Sequence, residues 1–542
     1  MNKIRNEKKA LILLFVFFII QPLLDIYILF SEKVVNILSF SPSTIIRIIF
    51  VVFFVIITLI QYKFNFRKEK YILIYLVAVG AYFIFHHYNC LQLRTDLPGT
   101  FRYSAITEIF YFIRMLIPFT LIYVLYKQKF KKEYFYKIIN IVVLAFSLII
   151  IVTNIFKISL ASYGGDRIIA DSIFGWFTED GRSNGHELLA SRGFFTSANQ
   201  ISALLLMLLT ITFYKMIKEP SKLNISVVVL QILAMIMIGT RVASYGWIAV
   251  IALVFICYLF FCCIKKGIKF NKMVLMIMAI LAIPITTIQI YSPILVRVYD
   301  SYVEPSVGEE TGLEEGLGEE TKEGQGEETK PKPPIDMNSA KEKLNSYLED
   351  LDEETFVLTE EIEEFFEESY MYFGINPGYI MRDLYSYKTD PVFWLQTMAL
   401  DYSQVAGNRN HDLLITRRIF GLNNNENDKL LGIGFSTLRN GKIYIEQDFR
   451  VHRYSIGTAG IILLLGPYFI ILFKSLFAIL TNYRKKFNME TIIFMLAISL
   501  AIIVSLLSGH VMDELIVTTF IALISAMLLL NINEKEDENA ED

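Results

Sequence analysis

The chain has 542 residues, of which 54% are hydrophobic and 19% charged, with a formal net charge of -3. A soluble domain carries about a quarter charged residues. Here charge is swept out of long blocks and gathered between them, which excludes an ordinary soluble protein and points to a chain folding in a bilayer. The four cysteines, Cys90, Cys257, Cys262 and Cys263, give neither a disulfide framework nor metal-ligand spacing, and no nucleic-acid partner is expected.

Taken in chain order, the basic start MNKIRNEKK and the apolar run behind it lack a small-residue cleavage site and read as a retained first helix. Spanning the hydrocarbon core takes about 20 apolar residues. Spans are expected near 10–30, 43–61, 71–87, 107–126, 138–156, 196–214, 224–240, 245–264, 273–292, 454–479, 489–508 and 514–531. The fold class is therefore all-α, a polytopic bundle of about twelve spans. Connections such as YKFNFRKEK, KQKFKKEYFYK and KKGIKFNK are rich in Lys and Arg and fall at every alternate crossing. The opposite short connections, 31–42 and 509–513, carry almost none. By the positive-inside rule both termini lie in the cytoplasm.

This divides the chain into a nine-span membrane domain (1–292), an extracytoplasmic loop (293–453), three last spans (454–531) and an acidic cytoplasmic tail (532–542). A loop that long is more than a connection. Within it, 303–334 repeats GEET three times before KPKPP, an acidic low-complexity stretch expected to be disordered. Residues 335–453 return to helical periodicity in AKEKLNSYLEDL and EETFVLTEEIEEFFEESYMYF, expected as amphipathic helices folding back over the membrane mouth.

Charged groups inside spans cost about 2.5–3.5 kcal/mol at the bilayer centre and need a partner or a wet cavity. Ion pairs that fix helix packing, Asp25 with Arg47 and Glu108 with Arg114, are expected. His86 and His87 are expected at the interface. Arg241, in IGTRVASYGWIAV, reads either as a snorkelling arginine or as an anion ligand, because a guanidinium grips phosphate with a planar fork. Arg192, Arg297, Arg409, Arg417 and Arg418 on the same expected outer face could join it. His411 in GNRNHDLL and the pair His510 and Asp513 in SGHVMDEL are further polar candidates for substrate contact, although a loop histidine is more often simply hydrogen-bonded.

Three stretches carry a resemblance to the O-antigen ligase / Wzy-type polysaccharide polymerase superfamily, over most of the chain. GTRVASYGWIAV resembles the family's arginine-bearing hairpin and puts Arg241 on its functional arginine. GFFTSANQISALLLML is similar to the segment in which an outer loop runs into a helix. LLGIGFS is similar to the Gly-x-Gly turn that precedes a histidine–amide pair and a Gly-x-x-Gly. Gly457 and Gly460 fit the glycine pair and Gln447 the amide, but Glu446 stands where ligases carry histidine, which leaves polymerase against ligase open.

The resemblance implies transfer of a glycan from a polyprenyl-diphosphate-linked donor to an acceptor glycan or wall polymer, at the outer face of a bacterial cytoplasmic membrane. Under it Glu446 is the first candidate for the general base and Asp448 the second. Arg241 is the candidate diphosphate ligand, with Arg409, Arg417, Arg418, Arg192, His411, His452 and Gln447 as further substrate contacts. Neither metal nor cofactor is expected, and a complex with other polysaccharide-assembly proteins is open. The alternative reading is a lipid-linked oligosaccharide flippase, against which the absence of a repeat between the halves counts.

Overall fold

The computed structural model describes residues 2–30, 41–67, 69–163, 168–183, 185–264, 269–303, 336–349, 351–353, 355–382, 385–509 and 511–533. The expected disorder of 303–334 therefore falls almost wholly outside the described residues, as do His510 and most of the acidic tail. The protein is a multi-pass helical membrane protein. Among the described residues nine helices are long and apolar enough to cross a bilayer, or ten if the broken pair Gly457–Leu464 and Gly466–Thr481 counts as one.

Against the twelve expected spans, three differ in detail. The first helix, Asn2–Ile19, does not run on to residue 30 but stops ahead of Pro22 and gives way to the short turns Gln21–Leu24 and Tyr27–Phe30. Proline cannot supply the amide that would continue the helix. The seventh, Lys222–Ile238, has only 17 residues and ends on Gly239 at φ +69°. The tenth is broken between Leu464 and Gly466, with Pro467 just after the break. The third, expected over 71–87, is a 21-residue helix, Lys70–Cys90.

The chain divides into two compact units. The first comprises Met1–Leu73, Ile113–Val307 and Leu465–Asp542. Its centre is the helix Ala198–Lys218, with nearly all of its apolar stretch buried, beside the similarly buried Leu515–Asn533. In lipid, helices gain little from apolar burial against one another, so small residues and hydrogen bonds must hold them. Both devices are present. Ser202 Oγ lies 2.7 Å from Thr240 Oγ1, Thr212 Oγ1 donates to Gln231 Oε1 at 2.7 Å, and Gln231 Nε2 donates to the Leu205 carbonyl at 2.8 Å. At Gly246 a Cβ would come within 2.6 Å of the Leu206 side chain, so glycine there permits the close approach. Lys272–Ile290 is hardly buried at all and leaves its apolar surface for lipid.

The expected pair of Asp25 and Arg47 is present in this unit, both buried, at 3.9 Å, with Arg47 Nε also donating to Gln21 at 2.8 Å. Arg114 does not pair with Glu108. It donates to the Asp513 carbonyl at 2.8 Å and meets Glu514 at 3.5 Å.

The second unit comprises Ile74–Phe112 and Gly308–Leu464. Its loop portion is a folded helical domain with its own apolar core, built from residues such as Phe365, Phe366, Trp394, Ile415 and Ile419. The amphipathic helices expected here turn their apolar faces into this core. The alternating polar and apolar face of EEIEEFF is satisfied by Ala340, Leu344 and Tyr387 of the same domain, with no lipid required. Local caps set the starts of its helices: Thr359 accepts from Ile362 N–H, Asn376 from Gly378 N–H and Asp390 from Phe393 N–H.

Candidate functional site

The second unit holds the Gly-x-Gly turn, and the geometry explains the glycines. Gly432 and Gly434 have φ of +81° and +95°. Ile433 N–H donates to the Tyr454 carbonyl and Gly434 N–H to the Ser455 carbonyl, each at 2.9 Å. A Cβ on Gly432 would lie 2.3 Å from Ser455 O, and one on Gly457 2.4 Å from Leu430 C and O. The two glycine motifs are thus the two sides of one backbone crossing, which only residues without a Cβ can make.

Helix Lys70–Cys90 and the start of Ala105–Lys127 hold that crossing. Glu108 is fully buried and accepts the N–H groups of Phe435 at 3.0 Å and Ser436 at 2.8 Å, at the entry to the helix Phe435–Asn440. His86, also fully buried, meets Glu108 Oε1 through Nε2 at 3.0 Å and the Leu431 carbonyl through Nδ1 at 2.6 Å. A carbonyl only accepts, so Nδ1 carries a proton. Asn89 donates to Asp428 at 2.8 Å and to the Gly432 carbonyl at 2.9 Å, and Tyr82 donates to the Ile456 carbonyl. His86 is thus tied to the turn through Glu108, and Glu108 serves this turn rather than Arg114.

From the crossing the chain runs to Glu446, which is paired with Arg409 through Nε and Nη2, both on Oε2. Oε1 of Glu446 has no hydrogen bond among the described residues. The Glu446 side chain is 33% exposed and that of Arg409 51%. Arg409 is the second residue of the helix Asn408–Asn423, and Asp412 follows one turn later on the same face. Asp412 is buried, accepts from the Tyr379 hydroxyl at 3.1 Å, and is pushed up to about 6, chiefly by burial, with the Glu446 carboxylate adding to it. Two carboxyl groups, one arginine and one phenol thus share a small polar surface, and one of the carboxyls titrates near neutral pH. Asp412 and Tyr379 carried no signal in the sequence beyond the i, i+3 spacing of Arg409 and Asp412.

The remaining candidates fall in different places. Asp448 is buried at the start of the helix Asp448–Ser455, with Gln447 half-buried just ahead of it. His452 is fully buried, with Nδ1 at 2.9 Å from the Tyr111 hydroxyl, whose ring stacks on Phe435 at 3.9 Å. His411 is buried beneath Tyr379, with ring centroids 4.9 Å apart. It donates Nδ1–H to the Gly407 carbonyl at 3.0 Å, and burial lowers its pKa. Neither histidine faces solvent. Arg417 is exposed, whereas Arg418 is bound to Asp390 and Glu353.

In the first unit, Arg241 is the first residue of the helix Arg241–Cys263, behind Gly239 and the N-cap Thr240, whose hydroxyl accepts from Ala243 N–H at 3.1 Å. A Cβ on Gly239 would meet Ala190 Cβ at 2.7 Å, so the hairpin packs tightly beneath the arginine. The Arg241 side chain is exposed and has no hydrogen bond or ion pair among the described residues. Beside the hairpin, Arg297 donates to the Tyr163 hydroxyl at 2.6 Å, which in turn donates to the Gly239 carbonyl at 3.3 Å. Arg192 is buried and donates to the Thr196 carbonyl at 3.0 Å, so it braces its own loop. Among the described residues no group of three His, Cys, Asp or Glu is placed to hold a metal ion.

No match was found among curated proteins or solved structures. A family model described as O-antigen ligase like membrane protein matches residues 6–535, nearly the whole chain, and the chain belongs to that family.

Proposed function

We propose that the protein is a membrane glycosyltransferase that moves a glycan from a polyprenyl-diphosphate-linked donor to an acceptor glycan or wall polymer. The reaction takes place on the outer face of a bacterial cytoplasmic membrane. The acceptor hydroxyl oxygen attacks the anomeric carbon, the bond from that carbon to the diphosphate breaks, and the diphosphate leaves with the electron pair. Glu446 takes the hydroxyl proton. Arg241, whose exposed side chain has no hydrogen bond or ion pair among the described residues, is the proposed diphosphate ligand. A positioned base is worth about 10²- to 10⁴-fold, and a fixed cation at a developing anion is often the largest single contribution.

The observation that carries this reading is the free oxygen of Glu446. Arg409 holds one oxygen and so orients the carboxylate, while the second oxygen is open to a hydroxyl. Asp448 and His452, buried away from solvent, support the positioning of this segment rather than proton transfer. The test is formation of a new glycosidic bond by the purified protein in lipid nanodiscs. It is supplied with a short polyprenyl-diphosphate-linked oligosaccharide and an oligosaccharide acceptor. Wild type forms the bond, and Arg241→Ala and Glu446→Gln each lose at least a hundredfold in rate. Movement of the intact lipid-linked donor across a vesicle bilayer, without bond formation, is the result that replaces this reading with a flippase.

A further inference from the structure

A second polar cleft in the loop domain has no part in the chemistry proposed above. It measures about 300 Å³ and is lined by Arg94, Asp96, Glu353, Phe356, Asp390 and Arg418, among others. All of these residues belong to the second unit. The floor is rigid. Arg418 donates Nε to Asp390 Oδ2 at 2.9 Å and Nη2 to Oδ1 at 3.3 Å, while Asp390 also accepts from the Tyr385 hydroxyl at 2.8 Å and caps the helix Pro391–Met398. These two side chains are 19% and 7% exposed. The rim is open. Arg94 grips Asp96 and donates to the Leu422 carbonyl at 3.1 Å, and Arg418 Nη1 reaches Glu353 only at 3.5 Å, longer than a good N–H···O bond.

We infer that this cleft binds a neutral sugar unit of the glycan, at a subsite separate from Glu446. The inference rests on the reading of the protein as one that handles glycans. Three features select the ligand. Each arginine is already neutralised by a carboxylate, so the cleft has no uncompensated positive charge with which to draw a diphosphate or a uronic acid. The guanidinium and carboxylate edges that remain are fixed donors and acceptors side by side, which suits the vicinal hydroxyls of a pyranose, and Phe356 offers an apolar face for its C–H surface. The volume lies at the small end of ligand clefts, suited to one or two sugar rings.

The separation from Glu446 follows from helix geometry. Arg409 and Arg418 lie on one helix, Asn408–Asn423, two and a half turns apart. They therefore face opposite sides and are offset by about 13 Å along the axis. A glycan held at both places is gripped at two separated units, so the cleft would favour longer chains over single repeat units.

The test is saturable binding of chitotriose, maltotriose and trigalacturonic acid to the full-length protein in nanodiscs, read by isothermal titration calorimetry. At least one neutral trisaccharide binds, more tightly than the acidic one. That binding weakens at least tenfold in Glu353→Gln and in Phe356→Ala, while the thermal midpoints of both variants stay near wild type. Failure of both neutral probes to saturate, tighter binding of trigalacturonic acid, or unchanged binding in both cleft variants overturns the inference. Because the readout needs no turnover, a protein that forms glycosidic bonds but binds neither neutral probe sinks the cleft alone. One that binds them but forms no bond sinks the proposed function alone.

Discussion

Two carboxylates of the second unit do opposite work: Glu108 holds the start of the stretch that begins at Phe435, and Glu446 lies further along it. Every oxygen of Glu108 is used: Phe435 N–H and His86 share Oε1, and Ser436 N–H takes Oε2, all out of solvent. Glu446 has one oxygen in an exposed pair with Arg409 and one free. A saturated buried acid costs stability when it is removed, because its partners are then left without hydrogen bonds in a dry place. An open, half-satisfied acid costs little stability and is available for chemistry. The contrast is the ground on which Glu446, rather than Glu108, is proposed as the base.

That contrast can be broken at several points. The largest expected effect is on the buried side. Glu108→Ala leaves two backbone N–H groups and His86 without their acceptor and should destabilise the protein by about 3 kcal/mol, read as a drop in the thermal midpoint of the purified protein in detergent. A midpoint within a degree of wild type would show that the turn holds without it.

The second effect concerns pH. The Asp412 carboxyl is raised from 3.8 to about 6 in the folded protein, so the folded state binds its proton more tightly than the unfolded chain does. Stability from this group is therefore full below the unfolded value and is lost as pH rises through 6. Between pH 7.5 and pH 5 wild type should gain about 1 kcal/mol from it, and Asp412→Asn should gain correspondingly less. Parallel stability curves for the two proteins would remove Asp412 from the account.

The smallest stability effect belongs to the exposed pair. Arg409→Ala should change unfolding by no more than about 0.5 kcal/mol. It should nevertheless slow glycan transfer by on the order of tenfold, because Glu446 loses the contact that aims it. Stability and rate falling together would mean that the pair is structural.

Much of the membrane architecture was legible because its cause is local. A run such as PSTIIRIIFVVFFVIITLIQY has one stable answer in lipid, and the helix Pro42–Tyr62 follows it. The misreadings occurred where a single residue or a distant partner decides. Pro22 and the Leu464–Gly466 break interrupt runs whose hydropathy is continuous. Glu108 was assigned to Arg114 because they lie on one helix, whereas its partners, Phe435 and Ser436, lie more than 300 positions away in the chain.

The Glu446 candidate came from the resemblance to the family's glycine-flanked motif, and those glycines have a physical basis in the backbone crossing at Gly432 and Gly457. Asp412, Tyr379 and the cleft at Arg418 were not legible. They are assembled by the loop domain's own core, which periodicity shows as amphipathic helices without saying which faces meet.

The most direct test of the central claim is the rate of glycosidic bond formation by Glu446→Gln, a variant that keeps the size of the side chain and one oxygen to accept from Arg409 but cannot take a proton at that position. It should retain the wild-type thermal midpoint and lose at least about a hundredfold in rate. A Glu446→Gln protein that transfers glycan at the wild-type rate would contradict the account.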